Sequence, residues 1–196
     1  LETAVRSFVT GLFTSGVPAD IRWGFKEIRY DAAVWRFLRM LYPNSQFVLV
    51  VRDLKGFLLS RMRVWGSPDY DLASAAGREA ASQRLQLWAE RWVVRNEDLL
   101  DHAADGETDA CVVELTSFGE RADADPLFEF LRTSPPQPAA VGAVLATRTG
   151  EAEKFASTHW NVEQTELLSA LIDDTISGFE GEAAVMDRVH AMRLGS

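Results

Sequence analysis

The sequence predicts an α/β fold with a parallel sheet, and three features of the chain predict it. Phe47 to Val51 is an unbroken apolar run set between a turn and the charged pair Arg52-Asp53. Ala110 to Leu115 is a second, largely apolar run. Between and around them the apolar residues recur at helical spacing, so strands alternate with helices, the order that builds a parallel sheet. With 196 residues, 47% of them hydrophobic, the chain can close one sizeable core, and a single domain over 1–196 is expected.

The elements follow in order. Residues 3–13 read as a helix closed by the turn signal Ser15-Gly16-Val17-Pro18. Ile21 to Ile28, rich in aromatic residues, reads as a short strand. Asp31 is placed to N-cap a helix carrying Val34, Phe37, Leu38 and Leu41 on one face, and Pro43-Asn44 stops it. The run Phe47 to Val51 has the composition of a central strand covered on both faces. A helix from Asp53 to Trp65 follows at once, and Gly66 to Asp71 is a loop. A long helix from Arg78 to Leu100 sets Leu85, Trp88, Trp92 and Leu99 on its buried face. His102 to Asp109 is a polar connection into the second strand. Pro126 to Leu131 is helical, and Pro135-Pro136-Gln137-Pro138 is the clearest linker. Residues 139–196 then form a helical, lid-like region whose last helix groups Leu168, Leu171, Ile172, Ile176 and Phe179. No internal repeat is visible.

Charge narrows the function. The net charge of −9 argues against a nucleic-acid binder. Its distribution says more. Residues 21–65 hold nine Lys or Arg against Glu27, Asp31 and Asp53, which is +6 and leaves −15 for the remainder. A basic island in an acidic chain points to a local anionic ligand; the alternative is pairing of these arginines with acids elsewhere in the fold. Cys111 is the one cysteine, so an intramolecular disulfide and a cysteine-based zinc site are both excluded. Followed by Val112 and Val113, it reads as a buried strand thiol, and the chain suits a reducing, cytoplasmic location. The apolar runs are far shorter than the ~20 residues of a membrane span.

Arg52 sits where ligands bind in open α/β sheets, beyond the carboxyl end of a strand. Its guanidinium can grip two phosphate oxygens at once. On the following helix Asp53, Gly56 and Ser60 fall on one face at steps of three and four, and the glycine keeps that face open. A helix-start ion pair between Arg52 and Asp53 is the alternative account of the same residues.

A strand ending in Arg, then Asp, then a helix with Ser eight positions after the Arg resembles the 3′-phosphate motif of sulfotransferases that use 3′-phosphoadenosine 5′-phosphosulfate. The family usually carries Pro where this chain has Leu54. Trp23-Gly24-Phe25-Lys26-Glu27 and Tyr42-Pro43-Asn44-Ser45-Gln46-Phe47 are similar to further elements of the family, especially its bacterial members. Trp160, Asn161, Thr165 and Glu166 faintly resemble its C-terminal lid. The likeness covers 22–65 well, 110–131 loosely and 148–176 faintly.

The resemblance implies a three-layer P-loop-like fold and metal-independent transfer of a sulfuryl group to a hydroxyl or amine of a small-molecule or carbohydrate acceptor. Arg52, Gly56 and Ser60 would hold the nucleotide's 3′-phosphate. Arg148 and Lys154 flank a glycine loop placed to close over the nucleotide, and a solvated loop is the alternative account of them. Lys26 would face the bridge oxygen of the donor, and Glu27 is the candidate base. The family's 5′-phosphosulfate loop is not found: Thr14-Ser15-Gly16 and Arg148-Thr149-Gly150 are near misses that do not link a buried strand to a helix. The chain begins at Leu1, so that loop is expected upstream of it. A non-catalytic relative that binds a nucleotide or a partner is the alternative, and a small-molecule kinase of P-loop type, with Asp53 holding magnesium, is the next.

Overall fold

A computed structural model describes residues 2–16, 18, 22, 24, 31–65, 70–106, 109–115, 121–134 and 162–194. Among them are helices α1 (Glu2–Thr14), α2 (Ala32–Leu41), α3 (Leu54–Trp65), α4 (Ala75–Ala104), α5 (Arg121–Phe130), α6 (Val162–Ser177) and α7 (Gly181–Leu194), with strands β1 (Gln46–Val51) and β2 (Asp109–Glu114). The two strands pair in parallel, from Gln46 opposite Asp109 to Val51 opposite Glu114. The fold is mixed α/β but mostly helical, with a sheet of two strands among the described residues. Of the expected Ile21 to Ile28 strand only Arg22 and Gly24 are among the described residues, and neither is in a strand; Gly66 to Asp69 of the predicted loop and the Pro135 to Pro138 linker lie outside them.

Local signals place several elements. Asp31 caps α2 as its sequence position suggests, accepting a hydrogen bond from Val34 N at 2.9 Å. Ser74 does the same for α4 through Gly77 N at 3.0 Å. That cap starts α4 three residues ahead of the predicted Arg78, because Ala75-Ala76-Gly77 carries no apolar periodicity to betray a helix. At its other end α4 runs on to Ala104, so His102 is helical rather than part of a connection. Gly16, with φ of +80°, takes up the left-handed turn that follows α1.

The core is built on α4. Ala81, Leu85, Ala89, Trp92, Leu99 and Leu100 form its buried face, and α3, α6, α7 and the inner face of the sheet pack upon it. From those elements come Leu54, Leu58, Met62, Leu168, Ile172, Val185 and Val189. Gly181 allows a close α4–α7 contact: a Cβ there would lie 2.8 Å from Val93 Cγ2 and would force that side chain to shift. Trp35 of α2, 3% exposed, stacks on Phe47 of β1 with ring centroids 4.4 Å apart.

Three expectations are corrected. The strand β1 is covered on one face only: Leu49 and Val51 are buried, whereas Val48 and Val50 are 37% and 52% exposed. An all-apolar run does not by itself report a second covering layer. The buried stripe of α2 is Ala32, Trp35, Leu38 and Leu41, with Phe37 turned outward, since Trp35 takes the inward position over Phe47. Among the described residues the carboxy-terminal part of the chain holds two helices where one was expected, because the chain breaks at Gly178-Phe179-Glu180 and restarts as α7.

Cys111 is half-buried rather than buried, its register partner being the exposed Val48. Burial, and then the charge of Asp109, push its thiol above the ordinary value of 9.0. Alkylation by iodoacetamide at pH 8 should therefore run slower than that of a free cysteine and accelerate above pH 9. A rate equal to that of the free thiol at pH 8 would contradict this placement. Because the folded state holds this proton more tightly, its contribution to stability is present below the unfolded pKa and is lost as pH rises past it.

Candidate functional site

The corner between β1 and α3 is tied down by four separate groups. Leu115 N bonds the carbonyl of Val51 at 2.7 Å, where the sheet ends. The indole N–H of Trp92, buried on α4, donates to the carbonyl of Arg52 at 3.1 Å. Asp53 caps α3, accepting from Gly56 N through Oδ1 at 2.6 Å. Glu182, from the first turn of α7, accepts from Leu54 N at 2.8 Å. Each bond removes a backbone degree of freedom on one side of Arg52 or the other. The guanidinium thus hangs from a fixed support.

Its direction is legible from Gly56. A Cβ on that residue would lie 2.7 Å from Arg52 Nε, and 2.8 and 3.1 Å from the two Asp53 carboxylate oxygens. The Arg52 side chain therefore crosses the first turn of α3 directly over the glycine. Ser60 is one turn further along the same helix face, half-buried. Arg52 is exposed, and neither its guanidinium nor the Ser60 hydroxyl has a hydrogen-bond partner among the described residues. Glycine at 56 is what permits this lie of the arginine, a more specific role than the open path read from sequence.

The electrostatics are more mixed than the basic island suggested. Arg39 pairs with Asp105 at 3.9 Å, and Lys55 pairs with Asp173 of α6. Arg36 meets His102 at 3.1 Å, Arg61 lies over the Phe57 ring, and Arg22 donates to the Leu131 carbonyl and the Gln46 side chain. Part of the +6 segment is thus spent on structural partners, as the pairing alternative has it. Arg52 is the cation of this corner with no such partner among the described residues. It also shares the corner with two carboxylates, Asp53 and Glu182, which hold the first amides of α3.

Of the other residues singled out in the sequence, Lys26, Glu27, Arg148, Lys154, Trp160 and Asn161 lie outside the described residues. Asp53, which the kinase alternative assigns to magnesium, has Oδ1 engaged in capping. No helix among the described residues is long and apolar enough to cross a membrane. Sequence reasoning missed Glu182 because α7 was not recognised, and it missed the polar duty of Trp92 because a tryptophan in a helical stripe reads as core. Comparison with protein-family models, with curated proteins and with solved structures finds no match for this chain.

Proposed function

We propose that this chain is the nucleotide-binding part of a sulfotransferase, in which Arg52 and Ser60 hold the 3′-phosphate of 3′-phosphoadenosine 5′-phosphosulfate. One observation carries the reading: at the carboxyl end of a parallel strand, a guanidinium with no partner among the described residues lies across a glycine on the helix face that ends in a serine hydroxyl. A guanidinium supplies two parallel N–H donors and a hydroxyl a third, a set that matches the oxygens of a phosphate monoester. In the reaction this implies, an acceptor oxygen or nitrogen attacks sulfur, the bond from sulfur to the bridging oxygen breaks, and adenosine 3′,5′-bisphosphate departs. The acceptor's proton passes to a base, for which Glu27 is the candidate, while Lys26 offsets charge on the bridge oxygen.

A second reading, a relative that binds nucleotide or a partner without turnover, is favoured by the two carboxylates at the start of α3. They place negative charge at the backbone corner from which the Arg52 side chain extends, which opposes an incoming dianion. Glu182→Gln keeps an acceptor for Leu54 N and removes one of those charges. It should tighten bisphosphate binding by about threefold to fivefold at low salt, an effect that added salt reduces. Weaker binding in that variant would show that Glu182 supports the ligand rather than opposing it.

Calorimetry separates the readings. Metal-independent binding of adenosine 3′,5′-bisphosphate supports the nucleotide site, and transfer of label from the sulfuryl donor to an acceptor separates enzyme from binding relative. Binding of ATP only with magnesium, and no binding of the bisphosphate, would favour the kinase alternative.

A further inference from the structure

At the opposite end of the sheet the structure assigns a second anion site, and we propose that it takes a small free oxyanion, phosphate or sulfate, between Arg22 and Arg132. A cleft of about 200 Å³ opens there, lined by Arg22, Asn44, Gln46, Asp109 and Arg132. Gln46 and Asp109 are the first residues of β1 and β2 and face each other in register. Arg52 follows the last residue of the same strand, so six residues of extended chain put roughly 20 Å between the two places. The inference does not rest on the nucleotide reading.

The lining is polar throughout. Two guanidiniums face one carboxylate, a local charge of +1, and the Asn44 side chain adds an amide donor. Arg22 donates to the carbonyl of Leu131 and to Gln46 Oε1, both neutral oxygens. Gln46 stands between the charges, its amide nitrogen donating to Asp109 Oδ2 at 2.7 Å and to the carbonyl of Phe130 at 2.9 Å. An amide spacer thus holds the carboxylate while leaving the guanidinium charge without a contacting acid among the described residues. The volume lies below the ~300–1,000 Å³ of pockets for drug-sized ligands and suits an ion of a few atoms.

The second observation is conformational and independent of the lining. Arg132 has φ of +51°, and it is the one non-glycine residue with positive φ among the described residues. It stands just past α5, where Arg132 N bonds the carbonyl of Glu129 at 2.8 Å and Thr133 N that of Phe128 at 2.9 Å. That pair of bonds closes a helix through a left-handed residue, a position glycine occupies without strain. Arginine stands there against the backbone preference, and its side chain has no hydrogen-bond or ion-pair partner among the described residues. Strain kept at one position is explained by use of the side chain that imposes it. Paired guanidiniums recognise oxyanions through parallel N–H donors.

The test is a titration of the Arg52→Ala protein with sodium phosphate, then sodium sulfate, followed by amide NMR at low ionic strength, with sodium chloride as the screening control. The Arg52→Ala background removes the proposed nucleotide site from the readout, so failure here says nothing of that site. Saturable shifts around residues 44–46, 109 and 131–133 are expected with the oxyanions and not with chloride. Arg132→Gly should weaken binding at least about tenfold while leaving the melting temperature unchanged or raised, because glycine relieves the left-handed position. Asp109→Asn still accepts from Gln46 and should tighten binding about threefold, since a like charge is removed. No saturable binding, parent affinity in Arg132→Gly, or weaker binding in Asp109→Asn would each overturn the proposal.

Discussion

Arg52→Ala is expected to weaken binding of adenosine 3′,5′-bisphosphate roughly tenfold to a hundredfold, the range for a charged group hydrogen-bonded to its ligand. Folding should be little affected. The Arg52 side chain is exposed and contributes no bond among the described residues, while its carbonyl keeps the Trp92 bond whatever the side chain. Ser60→Ala should give a smaller loss, because one neutral hydroxyl is removed rather than a charged fork. Gly56→Ala separates presence from placement. It retains the guanidinium but sets a methyl group against Nε and against the Asp53 cap. Helix propensity favours alanine there by about 1 kcal/mol and the disturbed cap opposes it by a similar amount. Its loss of affinity should therefore come without a comparable loss of stability. Isothermal calorimetry on the three variants, with melting curves alongside, reads all of this, and a parent-like dissociation constant in Arg52→Ala would remove the 3′-phosphate site.

Trp35→Ala is expected to destabilise the fold by about 3–5 kcal/mol, the usual range for emptying a buried tryptophan position. Trp35 holds α2 against the start of β1 through its stack on Phe47, and its ring also faces that of His102 at 6.4 Å. One detail sharpens the expectation. The indole Nε1 is buried with no hydrogen-bond partner among the described residues, so the folded state already bears the desolvation of a donor. Trp35→Phe keeps an aromatic ring over Phe47 and removes that donor, and it should cost about half as much as the alanine change, or less. Urea midpoints with an unchanged slope measure both. Equal losses in the two variants would mean that the indole N–H matters to the fold.

Local chemistry made part of this molecule readable in advance. The Asp31 cap, the stop after Leu41, the Phe47 to Val51 strand and its corner at Arg52-Asp53 all depend on residues within a few positions of one another. What was not readable depends on distance. Glu182 meets Leu54 across 128 residues, and no pattern near either position announces the pairing. Among the described side chains, the helix that carries Glu182 buries only Val185 and Val189 fully, too thin a stripe to stand out as amphipathic. Likewise Val48 and Val50 are as apolar as Leu49 and Val51, so composition alone could not say which face of β1 is open. Arg132 shows the same limit in another form, since its strain belongs to a backbone angle that arginine as a residue type does not suggest.

Charge followed a related course. Nine basic residues between 21 and 65 pointed to an anion in that part of the chain. The structure divides six of them: Arg39 and Lys55 pair with acids, Arg36 and Arg61 rest on rings or on histidine, Arg22 borders the cleft at the start of the two strands, and Arg52 stands apart at the other end of β1.

Everything proposed for catalysis depends on a phosphate at the ribose 3′ position being what that guanidinium and the Ser60 hydroxyl grip. The direct measurement is a calorimetric comparison, without metal, of adenosine 3′,5′-bisphosphate with adenosine 5′-monophosphate, which lacks only that phosphate. The account predicts binding of the bisphosphate at least about tenfold tighter, with the difference erased in Arg52→Ala. Two nucleotides bound alike by the parent protein would contradict it.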